Sequence, residues 1–178
     1  YEIGGFGKPT NDENKRFTKA VNEIPEQVKS LWIGWSSDNL EKSPTIVLSI
    51  TDEKYFGENR GDQIFLGTGS LNDNTARHEF IHVIVNQPNF QYAVNDYSPP
   101  FFFLHAKRAD NDIYMRGEHM TMLLTNYDPN PNKWAENLVS DLSLEFFAES
   151  RDSGIPKDEL AIRQVRYLID HLQSKGLW

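Results

Sequence analysis

His78-Glu79-Phe80-Ile81-His82 is the stretch whose residue types and spacing could do the most chemistry. On a helix, residues four apart share a face, so His78 and His82 stack one turn above the other. Two imidazoles separated by about 6 Å along a helix axis can grip one metal ion through their ring nitrogens. Glu79 lies roughly 100° round the helix, beside that line but off it. A carboxylate there can take a proton from metal-activated water without being a ligand itself. This is the helical pattern of zinc hydrolases. With five His and thirteen Glu in 178 residues, chance produces the pattern in roughly one chain in a hundred of this composition.

The flanking residues say what must position the motif. Asp73, Asn74 and Thr75 are helix-capping types placed just before it. Phe80, Ile81, Val83, Ile84 and Val85 make the helix apolar on nearly all sides, which marks a core helix. Two histidines and a glutamate inside such a helix need partners. A metal ion supplies them; a pair of hydrogen-bonded core histidines is the bland alternative.

A catalytic zinc takes three protein ligands and keeps one position open. A third His six residues past the second is excluded, because that position is Pro88, and Val85 stands where that pattern has Gly. A Glu on a separate helix fits. In a helix expected over Lys133 to Ser150, Leu138, Leu142, Glu145 and Glu149 are spaced to share one face. Carboxylates that continue an apolar stripe point inward and must be paired or bound to metal. Glu145 is the expected third ligand. Glu149, one turn on, can accept the free ring N–H of a ligating His. The competing reading makes both surface charges on a helix buried along Val139, Ser143, Phe146 and Ser150.

His-Glu-Phe-Ile-His followed by Glu145-Phe-Phe-Ala-Glu149-Ser150 resembles the anthrax lethal factor family of zinc peptidases, which includes secreted Pro-Pro endopeptidases. The likeness rests on these two short segments. It implies a zincin-like fold, zinc ligands His78, His82 and Glu145, and Glu79 as general base. The family also has a catalytic Tyr seven residues before the ligand Glu, where this chain has Leu138. The 63 residues from His82 to Glu145 exceed the family's usual spacing. For the missing transition-state donor, Tyr127 and His119 are the candidates, with Tyr127 preferred because a loop Tyr could reach over the metal.

The rest of the chain sets the frame. Tyr1 to Pro9 reads as irregular, and Asn11 to Leu31 as helical, broken, kinked or restarted at Pro25. Leu31 to Trp35, Thr45 to Ile50 and Gln63 to Gly67 read as strands, and Asp52 to Asp62 as a loop. Gln63 to Gly67 is either an ordinary buried strand or the sheet edge on which a peptide substrate adds a strand. Pro88 closes the metal helix, and Asn89 to Leu104 reads as an aromatic-rich loop. Further helices are expected over Asp110 to Asn126 and Lys157 to Ser174, with a turn over Arg151 to Pro156. The reading is one α+β domain over residues 1–178, a small twisted sheet packed on the metal helix and a mostly helical C-terminal half.

Composition narrows the function class. A net charge of −8 argues against nucleic acid or an anionic membrane as the main partner. The absence of Cys removes disulfides, thiolate ligands and catalytic thiols. No run approaches the eighteen or so apolar residues of a membrane span. The start at Tyr1 reads as a mature or trimmed form of a secreted monomer. The expected function is a zinc endopeptidase acting on a peptide or protein substrate; the alternative is a non-catalytic binding or toxin docking module on the same scaffold.

Overall fold

The computed structural model describes residues 6–32, 47–51, 57–60, 63–67, 74–99, 112–141 and 150–178. The chain divides into two compact units, Tyr1–Gln87 and Pro88–Trp178.

In the first unit, α1 (Asn11–Asn22) starts at a capping box. Thr10 Oγ1 accepts from the Glu13 N–H, and the Glu13 carboxylate accepts from the Thr10 N–H. Phe17, Ala20 and Val21, spaced three and one, are its buried stripe. Pro25 does start a second helix: it is the N-cap of the one-turn α2 (Glu26–Lys29). Leu31 and Trp32, expected to begin a strand, instead sit in the turn after α2, with their N–H groups donating to the carbonyls of Val28 and Lys29. The rest of that expected strand lies outside the described residues.

A four-stranded mixed sheet follows, in the order β1 (Phe6–Gly7), β2 (Val47–Thr51), β4 (Gln63–Gly67), β3 (Gly57–Arg60). β2 and β4 run parallel, and β1 and β3 flank them antiparallel. Three expectations change here. Phe6–Gly7, inside the stretch read as irregular, forms β1 and pairs with Thr51 and Ile50 of β2. Residues 57–60, read as loop, form a strand that pairs with β4 across the two residues Gly61 and Asp62. β4, a possible substrate edge, is hydrogen-bonded on both sides and is an interior strand. Its unbroken buried run Ile64-Phe65-Leu66 is what a strand covered on both faces requires. Among the described residues, β3 is the edge on that side.

The motif helix, α3 (Asn74–Val85), packs on β3, β4 and α1. Ala76, Phe80, Ile81, Ile84 and Val85 are buried. Arg77 pairs with Glu23 at the end of α1 at 3.3 Å. The helix end is tied down by Gln87, whose buried amide donates to the carbonyls of Ile84 (2.7 Å) and Leu31 (3.2 Å).

The described elements of the second unit are helices: α4 (Pro88–Asn95), α5 (Asp112–Thr125), α6 (Pro131–Asp141) and α7 (Lys157–Ser174). α4 replaces the first part of the expected aromatic loop. Pro88 occupies a first helical position, where its missing N–H costs nothing. Phe90, Ala93 and Val94 are its buried face. The expected turn from Arg151 is also shorter, since residues 150–153 are helical and Gly154 (φ 73°) ends them. α6 and α7 pack together, burying Trp134, Ala135 and Leu138 on one and Leu160, Val165, Leu168 and Leu172 on the other. α7 ends as expected near Ser174, with Gly176 (φ 70°) in a left-handed C-terminal cap. The Gly176 N–H donates to Gln173 and the Leu177 N–H to Leu172. The whole is an α+β structure.

Candidate metal centre

His78, Glu79 and His82 come together as their spacing requires. Each offers one ligand atom, and the three atoms lie within 4.8 Å of one another. The two rings are 4.6 Å apart between centroids, with planes at 87°. Two nitrogens on one tetrahedral zinc, each about 2.0–2.1 Å from it, stand about 3.4 Å apart, a separation inside the 4.8 Å limit of this cluster. Both rings are half-buried, whereas Glu79 is only 7 % exposed. The site thus couples two reachable imidazoles to one sheltered carboxylate.

β3 shelters that carboxylate. Gly57 lies against the first turns of α3, where Thr75 and Glu79 share a face as residues four apart. A Cβ placed on Gly57 would stand 2.5 Å from Thr75 Cγ2, 3.5 Å from Glu79 Oε1 and 3.7 Å from Glu79 Cγ. The described edge strand therefore passes directly over the expected general base. Sequence reading missed Gly57, one of two glycines in the stretch Asp52 to Asp62.

Glu145 and Glu149 lie outside the described residues. Leu138, which begins their expected stripe, is fully buried, and its neighbour Val139 is half-buried.

The two oxyanion candidates both belong to the second unit. His119 is 0 % exposed. Its Nδ1 shares a hydrogen bond with the buried Tyr97 hydroxyl at 2.8 Å. Burial pushes its pKa down to about 3 and raises that of Tyr97 well above the phenol value. A side chain sealed from solvent cannot touch a peptide, so His119 is a core residue. Tyr127, in the α5–α6 corner, packs edge-on against Trp134 (5.0 Å) and Trp178 (5.5 Å). The Trp134 Nε1–H donates to the Leu123 carbonyl at 2.7 Å, which fixes that indole. Burial, then the Asp128 carboxylate, raise the Tyr127 pKa, so its phenol keeps its proton.

No protein-family model, curated protein or solved structure matches the chain. Among the described residues, no helix is long and apolar enough to cross a membrane.

Proposed function

We propose that the chain is a zinc-dependent endopeptidase with a zincin-like arrangement of sheet and metal helix. The observation that carries the reading is the His78–Glu79–His82 group, two imidazoles and a buried carboxylate within 4.8 Å on one helix. A binding module needs the histidines at most; a buried acid beside them is what hydrolysis needs.

In this reading His78 and His82 hold the zinc, and Glu145 completes the ligand set. The zinc, when bound, supplies a Lewis acid that polarises the scissile carbonyl and makes water easier to deprotonate. Glu79 takes a proton from the attacking water at a carboxylate oxygen and passes it to the leaving amine. Its burial excludes competing solvent from that proton path. Glu149 orients a ligating imidazole by accepting its ring N–H. Tyr127, held protonated, is the proposed donor to the oxyanion.

The substrate strand docks on β3 rather than β4, because β4 is paired on both sides and β3 is the edge of the sheet among the described residues. β3 is the described edge nearest Glu79. An extended peptide laid there brings its scissile bond beside the base.

The test is cleavage of a random peptide library by the zinc-loaded protein. The reading expects internal cuts that a chelator abolishes and added zinc restores. A zinc-loaded protein that cuts nothing contradicts it and favours a binding module.

A further inference from the structure

We propose that Gly57 is a positioning residue for Glu79. The edge strand lacks a side chain there so that its main chain can seat on Thr75 and Glu79 and fix the carboxylate beside the histidine pair. The proposal rests on the peptidase reading for its catalytic meaning and on local geometry for its physical basis.

Glycine is a poor strand residue, and Gly57 opens β3, where it pairs with Leu66. A left-handed backbone does not account for it, since the described glycines with positive φ are Gly154 and Gly176. Close approach does. A Cβ at residue 57 would sit 2.5 Å from the Thr75 methyl, closer than carbon atoms pack. Thr75 is β-branched and in the first turns of α3, so its χ1 has few alternatives. An added methyl must lift the strand or turn Thr75. Lifting the strand withdraws its main chain from Glu79, whose Oε1 and Cγ lie at ordinary contact distances of 3.5 and 3.7 Å from the same point, and turning Thr75 changes the side chain that shares a helix face with Glu79. The imidazoles are not among these nearest neighbours, so the perturbation falls on the base rather than on the ligands.

The geometry also identifies the relieving change. Thr75→Ser deletes the Cγ2 methyl that makes the 2.5 Å approach and leaves the ordinary contacts to Glu79. A Gly57→Ala loss that Thr75→Ser reverses is therefore the signature of this contact. A general effect of alanine on strand stability would not be reversed.

The experiment compares the parent, Gly57→Ala, Gly57→Ala with Thr75→Ser, and Glu79→Gln with and without Gly57→Ala, all zinc-loaded. Zinc content, thermal midpoint, kcat and KM are measured. We expect Gly57→Ala to retain one zinc and lower kcat about tenfold or more, as misplacement of a reacting group does. Thr75→Ser should restore most of that loss. In the Glu79→Gln background, Gly57→Ala should change kcat by less than about twofold, because the group it displaces is already disabled. A kcat within about twofold of the parent, an equal loss in both backgrounds, or an effect on KM alone overturns the proposal. If the parent cleaves no peptide, the peptidase reading fails separately and the thermal midpoint decides. A drop in Gly57→Ala reversed by Thr75→Ser upholds the positioning contact; an unchanged midpoint overturns it.

Discussion

The rings of His78 and His82 meet edge to face, 4.6 Å apart at 87°, with the Glu79 carboxylate in the same cluster. That relationship follows from a four-residue spacing on a helix whose other sides are buried. It leads to a first prediction. Purified protein should bind about one equivalent of zinc, and the His78→Ala, His82→Ala double variant should lose it. Metal analysis is the check. Full occupancy in the double variant would remove the site.

The ligand set gives a second prediction. Glu145→Gln takes away a charged ligand, so it should weaken zinc retention against a competing chelator as well as peptidase activity. Glu149→Gln should be milder, in the roughly 10- to 100-fold range of groups that only orient a ligand. If Glu145→Gln holds zinc as tightly as the parent, the third ligand lies elsewhere.

The parts of the fold legible in sequence were those with dense local signals. α3, α5 and α7 carry long apolar patterns, and α7 also has glycine where the chain must turn left-handed. The strands flanking the sheet were not legible. Gly57-Glu58-Asn59-Arg60 has no β-branched or aromatic residue, and only its pairing with β4 makes it a strand. Phe6–Gly7 is shorter still and is defined by its partners Thr51 and Ile50. α4 was hidden by its aromatic content, although Pro88 followed by Phe90, Ala93 and Val94 is a helix start with a helical stripe. In the site, the histidines and Glu79 announce themselves by spacing. Gly57 does not, because close approach between a strand and a helix is a tertiary fact.

A third prediction concerns pH and the second unit. Burial holds the His119 pKa at about 3 in the folded chain, against roughly 6.5 for an unfolded imidazole. Above about pH 6.5 the residue is neutral in both states and burial carries no proton penalty. As pH falls from about 6.5 towards about 3, the unfolded chain takes up a proton that the folded chain refuses, and stability is lost. The thermal midpoint of the parent should therefore fall more steeply between about pH 6.5 and 4 than that of His119→Gln. Parallel pH profiles would contradict the buried neutral imidazole.

The most direct test of the central claim is Glu79→Gln. Glutamine keeps the size of the side chain and its helix propensity but cannot accept the water proton. Zinc content and peptide cleavage should be measured on the same preparation. The variant should carry one zinc per chain in an unchanged fold, with turnover lowered by at least about 10²-fold, the usual loss of a general base. A zinc-loaded Glu79→Gln protein that cleaves peptides near the parent rate would contradict the claim.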